Sequence, residues 1–229
     1  MSLGDDLRSE VAAIFEEVWQ DRDGQRVPEA EDLRLGNDAV KLDATVLYAD
    51  LAASTALVDK KEPYFAAEVY KAYLWSAAKI IRAQNGVITS YDGDRIMAVF
   101  IGGSKNGNSV RAALKINHAV TNIVNPALKD QYGDVYRVEQ TVGIDTSPLW
   151  IARTGIRGSN DLVWVGRAAN YAAKLAGLPP DYPTWITADV HSMLPKDCKF
   201  ANGNSMWEPR TWTAMDNHSI YRSSYLWKF

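Results

Sequence analysis

The sequence predicts an α+β fold, a ferredoxin-like βαββαβ core carrying an N-terminal helix and added C-terminal strands. Three observations predict it. An apolar run ending at Asp50, VLYAD over residues 46–50, reads as a strand. A long stretch with helical spacing follows over residues 64–86. Two short apolar runs then flank Asp92-Gly93-Asp94, the strongest short hairpin signal in the chain, before a second helical pattern and another strand.

Each element has a local reason. Residues 7–19 space Leu7, Val11, Ile14, Phe15 and Val18 as one helix face. Residues 20–40 are polar, with Gly24, Pro28 and Gly36, and read as a linker or loose arm. The helix over 64–86 has its apolar face at Phe65, Val69, Tyr73, Leu74, Ala77, Ile80 and Ile81, with Gly86 suited to follow its end. Val87–Tyr91 and Arg95–Phe100 are the hairpin strands, with Asp92-Gly93 supplying the turn. The spacing predicts a helix over 107–124, a strand from Val135 to Asp145, a Gly-rich stretch over 154–166 and a helix over 167–178. The expected division is residues 1–40 as helix and arm, and 41–229 as the main domain with a C-terminal extension.

Composition narrows the partners. A chain of 229 residues can bury a core without covalent staples, and the single cysteine, Cys198, excludes an internal disulfide framework. A formal net charge of −3 gives no argument for nucleic acid or anionic lipid. The acidic N-terminus lacks a signal-peptide layout, and no apolar run reaches about 18 residues. The expectation is a cytoplasmic protein with no membrane and no nucleic-acid partner.

Two aspartates carry the chemistry. Asp50 ends the first strand, and Asp94 stands at the hairpin tip. In a βαββαβ sheet these strands are neighbours, so both carboxylates can meet at one edge. Like charges held close raise a pKa, and a divalent cation with hard oxygen ligands, Mg²⁺ or Mn²⁺, relieves the conflict. Small residues after Asp50, ending in Ser54 and Thr55, let backbone N–H groups approach phosphate oxygens. Taken singly, each has a local reading: Asp92-Gly93-Asp94 as a turn, Asp50 as a cap, and Ser54 and Thr55 as helix-start residues.

YADLAAST (48–55), YDGDRIMAVF (91–100) and VWVGRAANYAAKLAG (163–177) together resemble the class III nucleotide cyclase catalytic domain over roughly residues 43–190. The matching positions are Asp50, Thr55, Gly93, Asp94, Gly166, Asn170 and Lys174. The resemblance implies the class III cyclase fold and a catalytic domain over 41–229. It implies two metal ions, Mn²⁺ or Mg²⁺, held by Asp50, the Leu51 carbonyl and Asp94. It also implies that Asn170 orients the ribose, that Lys174 stabilises charge on the α-phosphate, and that both come from the second subunit of a homodimer with shared sites.

The departures point to the substrate. The family's purine-reading positions fall on Ser90 and Val163, which cannot make those hydrogen bonds. Tyr48 and Tyr91 stand nearby and are both candidates to read a smaller ring. The sequence thus resembles the bacterial pyrimidine cyclases of antiphage defence, with UTP favoured over CTP and a separate effector sensing the cyclic nucleotide. Lys174 replaces the usual Arg and loses its bidentate fork. Asp145-Thr146-Ser147-Pro148 stands where the family has a triphosphate-binding Arg, leaving Arg153 as a substitute, with Arg222 and Lys228 candidates for a late triphosphate cation. An adenylate cyclase with atypical base contacts and a non-catalytic nucleotide-binding module remain alternatives.

Overall fold

The computed structural model describes residues 2–229. The chain forms two compact units, the larger of Ala44–Ser147 with Arg167–Phe229, the smaller of the residues up to Asp43 with Pro148–Gly166. Two long strands, β2 (Asp38–Leu51) and β5 (Gln140–Ile156), have residues in both.

In the smaller unit, α1 (Leu3–Glu16) has the expected apolar spacing but buries no residue. Its start is fixed by a capping box between Ser2 and Asp5. The expected loose arm is ordered: β1 (Gln20–Asp23) pairs in parallel with Asp38–Lys41, and Val27, Leu33 and Val40 are buried. Three buried apolar side chains and a strand ladder outweigh the polar composition that suggested a linker. The Gly-rich stretch is a hairpin, with β6 (Ser159–Val165) pairing antiparallel with Trp150–Ile156.

In the larger unit the helices follow the sequence with shifted ends. The helix expected over 64–86 is α3 (Pro63–Ala83), and a shorter helix, α2 (Ser54–Lys60), precedes it. Proline at the first position of α3 separates them, since its missing N–H costs nothing there. β3 (Val87–Asp92) and β4 (Arg95–Ile101) form the expected hairpin. The helix expected over 107–124 is α4 (Lys105–Ala119), a π turn at Val120–Val124 and then α5 (Asn125–Tyr132). β5 begins at Gln140 rather than Val135. The Asn125 side chain bonds both backbone groups of Val138, at 2.7 and 3.0 Å, and so replaces a strand partner there.

α6 (Arg167–Ala176) and β7 (Thr184–Thr187) follow, then α7 (Ala188–Ser192), α8 (Lys196–Lys199) and the short pair β8 (Phe200–Ala201) and β9 (Asn204–Ser205). The chain ends with β10 (Glu208–Trp212) and β11 (His218–Ser223). The strand order is β10-β11-β7-β5-β2-β4-β3, with β2 between β5 and β4. α3 buries Phe65, Val69, Tyr73, Ala77, Ile80 and Ile81 in one core with Leu47, Ala49, Leu51, Ile96 and Ala98. Each large apolar side chain buried there contributes roughly 1.5–3 kcal/mol. Cys198 is buried, and burial pushes its thiol up to about 11. Among the described residues, no helix is long and apolar enough to cross a membrane.

Candidate active site

The site grows from strand alternation. Leu47, Ala49 and Leu51 are buried in the helix-packed core, so Tyr48 and Asp50 between them belong to the other face of β2. Cross-strand register extends that face. Tyr48 pairs with Met97, and Met97 pairs with Ser90; Asp50 pairs with Arg95, and Arg95 pairs with Asp92. A register irregularity between Ile88 and Ser90 sets this alignment. Tyr48, Asp50, Ser90 and Arg95 therefore share one face. Tyr91 pairs with Ile96, which pairs with Ala49, and so falls on the opposite face.

The hairpin turn sits one residue later than the sequence suggests. Asp92 still pairs with Arg95, so Gly93 and Asp94 are the turn residues. Gly93 takes the positive φ, +60°, at the first turn position, where glycine meets no Cβ penalty. Asp94 is thereby held at the tip beside the Asp50–Arg95 row.

The electrostatics of Asp50 are mixed. Burial raises its pKa and Asp94 adds to the rise, while Arg95 opposes it; the net direction is up. Arg95 Nη2 lies 2.7 Å from Asp50 Oδ2. Burial also raises the Tyr48 hydroxyl, which stays protonated at neutral pH. Behind the sheet, Tyr73 on α3 is fully buried and its hydroxyl has no hydrogen-bond partner among the described residues. Burial and the fields of Asp50 and Asp94 push its ionisation well above 10.

After Asp50 the chain turns at Ala53, whose φ of 55° is left-handed, and enters α2 with Ser54 and Thr55 as its first residues. Their backbone N–H groups are among those an α-helix leaves without internal partners. The Ala52 N–H, bonded to the Glu139 carbonyl at 2.9 Å, ties this turn to the segment before β5.

Asn170 and Lys174 lie one turn apart on α6, both exposed, and Lys174 Nζ is 3.3 Å from Met215 Sδ. Among the described residues, neither bonds to Asp50 or Asp94. The seat of α6 is elaborate and was missed in the sequence. A Cβ at Gly143 on β5 would lie 2.2 Å from the Ala172 carbonyl and 2.4 Å from the Ala176 nitrogen, so backbone meets backbone. Asp145, fully buried, accepts from Thr187 Oγ1 at 2.5 Å and from Arg167 Nε at 3.0 Å. Arg167 also donates to Asp189, and Ser147 Oγ accepts from the Ala168 N–H at 2.9 Å. The stretch that lacks the family's Arg thus anchors the helix carrying Asn170 and Lys174. No sequence signal marked it, because every contact is long-range.

Val163 is exposed on β6 in the smaller unit. Arg153, in the same unit, gives its guanidinium to Asn160 Oδ1 at 2.7 Å and the Leu33 carbonyl at 3.2 Å. Arg222 bonds Glu208 at 3.0 Å and stacks 3.5 Å from the Tyr182 ring centre. Among the described residues, no group of three or more His, Cys, Asp or Glu side chains is placed to hold a metal. The donors at the site are the two carboxylates and backbone oxygen.

No family model matches the chain. Among curated proteins it is 49% identical to a uridylate cyclase of Xanthomonas perforans over 230 residues, covering 100% of this chain and 99% of the relative. It is 49% identical to a uridylate cyclase of Burkholderia cepacia, with the same coverage. A uridylate cyclase of Rhodovulum sp. (strain MB263) is 37% identical over 98% of this chain and 97% of its own. Solved structures share the fold: the guanylyl cyclase Cya2 with a TM-score of 0.69 at 17% identity, covering 82% of this chain and 94% of that one, and the adenylyl cyclase CyaB from P. aeruginosa with 0.68 at 18%, covering 81% and 95%.

Proposed function

The chain belongs to the uridylate cyclase family, nucleotide cyclases of the class III fold, and on that footing we propose that it converts UTP to 3′,5′-cyclic UMP and pyrophosphate. The observation that carries the proposal is the shared face: Tyr48, Asp50 and Ser90 in adjacent cross-strand rows, with Asp94 at the neighbouring tip.

The donor set fits a hard divalent cation, because a half-buried carboxylate with a raised pKa beside a second carboxylate is stabilised by added positive charge. Asp50, Asp94 and the Leu51 carbonyl would hold two Mn²⁺ or Mg²⁺ ions, which would lower the pKa of the ribose 3′-hydroxyl and neutralise the leaving pyrophosphate. Ser54 and Thr55 offer backbone N–H groups to the triphosphate. Asn170 orients the ribose, and Lys174 places positive charge at the α-phosphate. Both are exposed on α6 and reach the site of a second copy, so the working unit is a homodimer with shared sites. The protonated Tyr48 hydroxyl donates to a pyrimidine carbonyl, and uracil offers carbonyl oxygens on both sides of its ring N–H. Tyr91, on the other face, is not the base reader. Val163 and Ser90 leave a purine without its usual hydrogen bonds. The product serves as a cytoplasmic second messenger in antiphage defence, read by a separate effector.

The test offers the four nucleoside triphosphates with Mn²⁺ and identifies the product. Cyclic UMP is expected as the main product. Cyclic AMP as the main product would overturn the base assignment, and retained activity in Asp50→Ala would overturn the metal assignment.

A further inference from the structure

We propose that Arg95 serves two anions in turn: it neutralises Asp50 while the site holds no cation, and it binds the triphosphate of the substrate once a divalent cation takes the carboxylate. The inference rests on the cyclase reading of this site. It starts from a contact. Arg95 Nη2 is 2.7 Å from Asp50 Oδ2, on the carboxylate expected to serve a metal. The pairing is built into the sheet, since Asp50 and Arg95 are direct cross-strand partners on one face.

A guanidinium and a divalent cation held by one carboxylate repel each other at close range. The divalent ion carries twice the charge, so the guanidinium is the group that moves. It stays on the face that holds Tyr48 and Ser90, and its side chain is 35% exposed, which leaves it room to turn. A triphosphate presents the paired oxygens that a guanidinium fork matches.

Elimination points the same way. The segment Asp145–Pro148 supplies no cation, the other two arginines considered for the triphosphate are held by groups that a metal at Asp50 would not displace, and Lys228 lies outside the Asp50 row. Arg153 is bonded to Asn160 and to the Leu33 carbonyl, and Arg222 is bonded to Glu208 and stacked on Tyr182. Arg95 is the cation that the strand register places in the Asp50 row. The arrangement also orders events: metal entry frees the group that then receives the nucleotide, so the two ligands bind with positive coupling.

The experiment uses the full chain and two probes without a base, Mn²⁺ alone and inorganic triphosphate with saturating Mn²⁺, each titrated calorimetrically. Arg95→Met should bind Mn²⁺ alone about threefold more tightly, because the resident competitor is gone, and triphosphate about tenfold more weakly, because charge-assisted bonds are lost. Arg95→Lys keeps the charge without the fork and should fall between wild type and Arg95→Met for triphosphate. Triphosphate affinity within twofold of wild type in Arg95→Met would overturn the proposal, as would weaker Mn²⁺ binding. Should Arg95→Met not fold, wild-type triphosphate affinity in Arg95→Lys would overturn it instead. Asp50→Ala separates the two levels. Intact Mn²⁺ binding there would sink the metal reading itself. Loss of Mn²⁺ binding there, with both Arg95→Met affinities unchanged, would sink only the role given to Arg95.

Discussion

Gly143→Ala tests how closely the helix carrying Asn170 and Lys174 must sit on the sheet. The added methyl would lie 2.2 Å from the Ala172 carbonyl oxygen, 2.4 Å from the Ala176 nitrogen and 2.7 Å from Leu175 Cβ. Two of those atoms are backbone, so no rotamer change relieves the clash. To reach ordinary contact the gap between β5 and α6 must open by about 1 Å. Overpacking of this kind costs typically 1–3 kcal/mol. For a chain of this size each kcal/mol lowers Tm by roughly 2–4 °C, so a fall of about 2–12 °C is expected. The shift also moves Asn170 and Lys174, and a misplacement near 1 Å can cost about 100-fold in rate. Differential scanning calorimetry reads the first effect and cyclic-nucleotide formation the second, which should appear in kcat more than in KM for the metal-bound substrate. A variant with wild-type Tm and wild-type kcat would refute the close-packing argument and the placement of Asn170 and Lys174 by it.

Two further outcomes follow from buried polar groups. Tyr73→Phe removes a fully buried hydroxyl that has no partner among the described residues, so it should raise the Tm of the metal-free protein by a few degrees, corresponding to about 1 kcal/mol; a fall would show that the hydroxyl is bonded. For Asp145, burial raises the folded-state pKa above the ordinary carboxylate value, against the opposing pull of Thr187 and Arg167. The native state therefore holds that proton to higher pH than the unfolded chain, and the stability tied to it is present at low pH and lost as pH rises through the raised value. Urea unfolding from about pH 4 to pH 7 should show wild type losing stability relative to Asp145→Asn as pH rises; parallel curves would contradict the shift.

Much of the candidate site was legible in the sequence because its logic is local. Asp50 at the end of an apolar strand, Asp94 in a Gly-Asp hairpin and the small residues between Asp50 and Thr55 are each fixed by neighbours in the chain. Alternation alone put Tyr48 and Asp50 on one face of a strand. The helix ends and the start of β5 were less legible: the short α2 before Pro63 carries no long apolar period, and the Asn125 side chain takes the place of a strand partner at Val138. The arm over residues 20–40 misled for a different reason. Its polar composition is real, yet the ladder of Gln20–Asp23 against Asp38–Lys41 and the burial of Val27 and Leu33 order it.

The sequence by itself determined the α+β order of elements and the placing of one aspartate at a strand end and another in a hairpin, since these depend on residue identity and on periods of two and 3.6. Tertiary structure alone decided that Tyr91 falls on the face opposite Asp50, because that depends on the register between β3 and β4 and its irregularity at Ile88–Ser90. It alone decided that Arg95 closes on Asp50 and that Gly143 admits α6 to the sheet. Both are contacts between residues far apart in the chain, set by pairing and packing that no local pattern encodes.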